Sequence, residues 1–208
     1  MKKNRREVLK ILGAAGGLLA FAPLAQAEMG EVRVLKKGKV PPAEIPWDKG
    51  RCAFCNMPIK TPPQGMKGKK FPPGFFERTY AQIAFKDGKA LHFESIACMV
   101  NYAFAHGIED GEEATFYVMA VDPSTVPCKP KGLIPAREAT YVWGEHLMTT
   151  MKAHLVAVES PAAAAEGIKK RINKIGRYHI LAWPVLWDLK PLPEVNLVPL
   201  LAKHMGLL

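Results

Sequence analysis

Three sulfur-bearing side chains fall within six residues in the string Arg51-Cys52-Ala53-Phe54-Cys55-Asn56-Met57-Pro58-Ile59. Thiolate and thioether are soft donors, and soft donors select Cu(I) over magnesium, calcium or manganese. Cu(I) needs only two or three ligands, so Cys52, Cys55 and Met57 suffice without a complete tetrahedral set. Methionine stays a ligand at any pH, whereas a thiol must lose its proton, which metal binding assists. Competing chemistries ask for other partners. Structural zinc normally takes four ligands, and the remaining cysteines, Cys98 and Cys128, are isolated from each other by 30 residues. A thioredoxin-like pair opens a helix after a strand, but Asn56-Met57-Pro58 follows Cys55 and no βαβ pattern precedes it. A plain structural disulfide between Cys52 and Cys55 is the blandest alternative. A c-type haem site would carry His where Asn56 stands.

The elements around this motif are legible. Residues 28–50, with Pro41, Pro42 and Pro46, read as an extended arm, and 60–75 as a Pro-, Gly- and Lys-rich loop. Tyr80–Phe85 and Leu91–Phe93 read as strands joined by Lys86-Asp87-Gly88-Lys89, an Asp-Gly turn of the type I′ kind. Ser95 reads as the N-cap of a helix from Ile96 to about Ala105, ended by Gly107. Thr115–Val121 reads as a strand. Residues 51–121 thus make one ββαβ unit with the motif at its start. A Pro-rich linker is expected over 122–138. The order then repeats over 139–183: strand Thr140–Trp143, strand Ala153–Val158, a helix opened by Ser160-Pro161 and running to about Asn173, and strand Tyr178–Trp183. The fold class is α+β, two ββαβ units in tandem. The Pro-rich tail, 184–208, is expected as a docking arm or a short helix.

Residues 1–27 read as an export signal. Lys2, Lys3, Arg5 and Arg6 precede the apolar run Val8–Leu24, and Ala25-Gln26-Ala27 is a small-x-small cleavage site. Asn4-Arg5-Arg6-Glu7-Val8-Leu9-Lys10 resembles the twin-arginine signal, which predicts a periplasmic protein exported folded, with no cysteine near the cleavage site to carry a lipid anchor. Removing this segment takes five basic and one acidic side chain and lowers the net charge from +10 to +6. The 208 residues are 49% hydrophobic and 23% charged, a globular composition that needs no disulfide scaffold. The cluster Lys67, Lys69, Lys70 lacks interleaved aromatics, so nucleic-acid binding is not indicated. No nucleophile elbow, phosphate loop, dinucleotide fingerprint or paired catalytic carboxylates appear, which favours a binding protein over an enzyme.

Cys52-x-x-Cys55-x-Met57 followed by Ile59 resembles the motif of the NosL family, copper chaperones for nitrous oxide reductase assembly. Tyr80–Lys89, Ile96-Ala97-Cys98-Met99 and Met148-Thr149-Thr150-Met151-Lys152-Ala153 are similar to further stretches of that family. The likeness spans roughly residues 50–172. It implies two similar ββαβ units and a Cu(I) site of Cys55, Met57 and Met151, with Met148 as the fallback and Cys52 as an additional candidate ligand. It implies delivery of copper to a copper enzyme, nitrous oxide reductase by analogy, or to its assembly factors. Two departures stand out: the family's Gly after the second Cys is Asn56 here, and its Gly after the later Met is Lys152. The competing function is a thiol–disulfide oxidoreductase or disulfide-stabilised binding module using Cys52 and Cys55. Cys98 and Met99 share a helix with Ile96, Val100 and Phe104, so core packing is their expected role. Cys128 is open to being an unpaired surface thiol or to a bond to Cys98. His146 and His154 flank the methionines and are candidates to complete the site. Membrane association through the tail is a further possibility, without a lipid anchor.

Overall fold

The computed structural model describes residues 33–60, 68–125, 127–170, 176–189 and 197–206. The expected export signal, the centre of the 60–75 loop, the end of the second helix and part of the tail lie outside the described residues. Seven strands form one sheet: β1 (Ala81–Phe85), β2 (Ala90–Phe93), β3 (Ala114–Asp122), β4 (Lys129–Pro135), β5 (Thr140–Gly144), β6 (Leu155–Val158) and β7 (Tyr178–Ala182). Among the described residues four α-helices accompany them: α1 (Ile96–His106), α2 (Pro161–Lys169), α3 (Trp183–Asp188) and α4 (Leu197–His204). The order strand, strand, helix, strand occurs twice, as β1-β2-α1-β3 and β5-β6-α2-β7. The strands lie in the order β2-β1-β3-β6-β5-β7, with β4 also paired to β3.

β3 is the hinge of this arrangement. One edge pairs antiparallel with β1 and then, at Ala120↔Ala157, parallel with β6; β4 pairs along the other edge. Side chains alternate across a strand, and both faces of β3 are covered. Phe116, Val118 and Ala120 pack with α1, α3 and α4, together with Trp183, Leu186, Leu197 and Leu201. Tyr117, Met119 and Leu133 pack on the opposite face with Val40, Ile45 and Ile59, against Trp47 of the arm. Val121, Val142, Val156 and Val158 extend that second face under Ala164 of α2.

Local chemistry explains the element ends. Ser95 Oγ accepts from Cys98 N at 3.1 Å, and Gly107 closes α1 in a left-handed conformation, φ 62°; such a cap satisfies helix N–H groups that have no partner within the helix. Ser160 Oγ accepts from Ala163 N at 3.2 Å at the start of α2. In the first hairpin only Gly88 is left-handed, φ 84°. Asp87 instead accepts from Lys89 N, at 3.0 Å. The turn is therefore not the type I′ expected, which needs both central residues at positive φ. Pro184 at the start of a helix ends β7 one residue before Trp183, which was expected inside the strand.

The stretch 122–138 differs most from expectation. It holds β4, paired with β3 from Tyr117↔Pro135 to Asp122↔Lys129 with a register shift between Ala120 and Val121. Pro130 and Pro135 sit near the strand's ends, where a missing N–H is tolerated, and β4 borders the sheet rather than crossing its centre. The arm completes that border: Leu35 N donates to Leu133 O and Leu133 N to Arg33 O, both at 2.9 Å. The tail is built from α3 and α4, with Leu197 N donating to Asn101 Oδ1 of α1 at 2.8 Å. Among the described residues no helix is long and apolar enough to cross a membrane.

Gly132 lets the arm lie this close, because a Cβ there would meet Arg33 O and Leu35 Cγ. Gly132→Val is expected to lower unfolding free energy by about 2 kcal/mol through this overpacking. Urea denaturation of the variant and the parent measures the difference.

Candidate metal centre

The Cys52–Met57 stretch is a tight turn, not a helix start. Cys52 N donates to Met57 O and Asn56 N to Cys52 O, both at 2.8 Å, and Arg51 bridges antiparallel to Pro58. Asn56 is left-handed, φ 60°, a conformation that asparagine tolerates better than most residues. The turn is fastened to the sheet by Ala53 N, which donates to His92 O at 2.9 Å. Cys52 packs in the core layer of α1, whereas Ile59 packs in the layer on the opposite face. The motif is thereby pinned from both sides.

This placement brings Cys55 to the junction of β2 and α1. Its thiol donates to Glu94 Oε1 at 2.9 Å, and Cys98 Sγ lies 4.0 Å from Cys55 Sγ. The ligand atoms of Cys52, Cys55, Glu94 and Cys98 all lie within 4.8 Å of one another. All three cysteines are thiols rather than disulfides. Cys52 and Cys98 are buried and Cys55 is half-buried. Hydrogen bonds from the Cys55 and Cys98 thiols hold the Cys52 thiol well below its ordinary range. That same thiolate pushes Cys55 up to about 12, and it raises Cys98 as well, as does burial. Burial also raises the Glu94 carboxyl. Soft sulfur donors with protons to release suit a thiophilic cation such as Cu(I) or Zn(II).

The second half of the chain reaches this place through Glu94. The Thr79 and Thr150 hydroxyls lie 2.5 Å apart, and their oxygens lie 2.8 Å and 3.0 Å from Glu94 O. Two protons serve those three contacts. Arg78 Nη2 donates to Met148 O. The loop carrying Met151 is therefore tied to the residue whose carboxylate touches Cys55. Met151 is 47% exposed and Met148 67%; Met57 is half-buried.

Met151, Lys152 and His154 are left-handed, with φ of 56°, 53° and 54°. Strain of this kind costs about 1–3 kcal/mol per residue and persists only where surroundings enforce it. His154 is part of that enforcement. Its N–H donates to Thr149 Oγ1 at 2.8 Å, its Nδ1–H donates to Leu147 O at 3.0 Å, and its ring lies against Trp143. His146 is exposed.

The structure therefore gathers Cys52 and Cys55 and adds Cys98 and Glu94, which sequence reasoning had not placed in the site. Cys98 is buried as core packing requires, yet its sulfur faces the motif. Cys128 is not at the surface as expected but buried in a different apolar cluster, with Val121 and Val142, and a bond to Cys98 is not made. The signal for Cys98 was its position three residues after the N-cap Ser95. The helix start that Ser95 fixes also sets where Cys98 points.

Two substitutions test the loop. Thr150→Val keeps the shape and removes the hydroxyl, so unfolding free energy is expected to fall by about 1–2 kcal/mol. Lys152 is exposed and left-handed, so Lys152→Gly is expected to raise stability by up to about 1 kcal/mol. Thermal and urea unfolding of both variants measure the two changes.

Comparison with curated proteins finds no match. Among solved structures, one of those matched is the copper chaperone NosL from Shewanella denitrificans. It is 18% identical, with a TM-score of 0.46, over 67% of this chain and 93% of that one. The NosL family model matches residues 45–171. That span holds the Cys52–Met57 turn, Glu94, Cys98 and the Met151 loop and is more than half of the sequence, so the chain belongs to the NosL family.

Proposed function

We propose that this protein binds Cu(I) and hands it to a copper enzyme in the periplasm, nitrous oxide reductase or its assembly factors being the expected recipient. The observation that carries the reading is the convergence of three cysteine sulfurs at one half-exposed point, Cys55. Family membership supports the same reading. Cys55 anchors the ion, and Met57 and Met151 close the site on the solvent side, with Cys52 behind. Thiolate gives affinity, and neutral thioethers are easily displaced. A recipient's ligand attacks the copper before Cys55 leaves, so transfer is ligand exchange with no change of oxidation state. The twin-arginine-like start supports delivery outside the cytoplasm. A redox role for Cys52 and Cys55 fits less well, because the motif forms a turn rather than the start of a helix, where thiol-exchange pairs gain their reactivity.

Zinc is a second reading with its own observation. Cys52, Cys55, Cys98 and Glu94 offer four donors within 4.8 Å, the number that a structural zinc ion takes.

Anaerobic titration of the reduced protein against a chromophoric Cu(I) chelator, with Zn(II) in parallel, separates these readings. One tight Cu(I) equivalent is expected, weakened at least about 100-fold by Cys55→Ser, which is roughly 2.7 kcal/mol of binding. Unchanged Cu(I) affinity in Cys55→Ser would sink the copper assignment.

A further inference from the structure

We infer that Cys98 is a metal ligand, forming with Cys52 and Cys55 an inner three-sulfur station for Cu(I) that shares Cys55 with the outer Met57–Met151 station. This inference rests on the Cu(I)-binding function proposed above and adds a residue and a route to it.

The geometry has three parts. First, metal–sulfur bonds of about 2.3 Å place three sulfurs around one ion roughly 4 Å apart, and Cys98 Sγ already stands 4.0 Å from Cys55 Sγ. Second, Cys98 is held without a metal. Its N–H bonds Ser95 Oγ in the first turn of α1, where the helix dipole favours negative charge. Its side chain is already buried in the core, so little rotamer freedom is left to lose on binding. Third, the donors form a gradient of depth. Cys52 and Cys98 are 2% and 1% exposed, whereas Met151 is 47% exposed. Met151 is thus the most exposed of these donors, Cys55 and Met57 are half-buried, and the Cys52 and Cys98 thiols are the least accessible.

The two stations differ in what they do. Thioethers at the surface exchange quickly and suit entry and hand-over. Buried thiols exclude competing water and oxidants and suit storage. Movement between them is ligand exchange: copper–thioether bonds break and copper–sulfur bonds to Cys52 and Cys98 form. Each thiol that becomes a ligand releases its proton to water, and copper remains Cu(I). Glu94 is a positioning residue here. Its carboxylate is a hard oxygen that Cu(I) does not favour; it holds the Cys55 thiol through the 2.9 Å contact in the metal-free protein, and that contact ends when Cys55 gives up its proton to become a ligand.

The test uses the full reduced chain with Cu(I) under anaerobic conditions and a chromophoric chelator. The double variant Met57→Leu, Met151→Leu loses the outer station, and affinity is expected to fall about tenfold while one equivalent remains. Adding Cys98→Ser should weaken that remainder by at least about 100-fold more. A double variant as empty as Cys55→Ser would overturn the inner station, as would a remainder indifferent to Cys98→Ser. Because Cys98 is buried, the wild-type protein supplies a readout independent of refolding. With Cu(I) bound, alkylation of Cys98 in mild urea, read by mass spectrometry, should slow relative to the metal-free protein. Equal alkylation would overturn the inference. Wild-type protein that takes no Cu(I) would overturn the proposed function itself, and Zn(II) binding tighter than Cu(I) would replace both with the four-donor zinc site.

Discussion

Glu94 is the point on which the site depends. Its carbonyl oxygen receives the Thr79 and Thr150 hydroxyls, and its carboxylate receives the Cys55 thiol. A short turn before β1, the motif turn and the loop before β6 are thereby joined at one residue. All of these groups are buried or half-buried, where an unpaired polar atom is costly. The knot is therefore an obligation as much as an attraction: separating any one strand of it leaves another group without a partner. Such a constraint keeps residues from two halves of a chain in register.

Much of the fold was legible because local signals agreed with the global one. The place of the Asp87-Gly88 turn, though not its type, the Ser95 and Ser160 caps and the alternation in β1 and β3 each specify one element, and the elements pack as they specify. β4 escaped because prolines read as linker chemistry, while its eligibility as a border strand depends on a partner 7 to 18 residues away. The motif was legible as chemistry, but its partners were not equally so. Cys98 looks apolar by its neighbours, and only the turn that the Ser95 cap fixes aims its sulfur at Cys55. Glu94 carried no signal at all, since nothing in the sequence tells which carboxylate will meet a thiol across a sheet edge.

The two positions where the resemblance leads one to expect glycine share one backbone conformation. Asn56 and Lys152 both adopt the left-handed conformation that glycine accepts freely. Asparagine bears this at small cost, and lysine does not. The loop beside Met151 is therefore held by its anchors, Thr150 and His154, rather than by its own preferences.

The paired caps of the two halves have one more implication. Ser95 and Ser160 occupy matching positions, and the third residue after each donates its N–H back to the serine. In the first half that residue is Cys98; in the second it is Ala163. The same capped helix start thus occurs twice in one molecule, once bearing a thiol and once a methyl group. The backbone geometry belongs to the architecture, and the sulfur is present in one copy only. The alanine copy is a built-in reference for that turn without its sulfur.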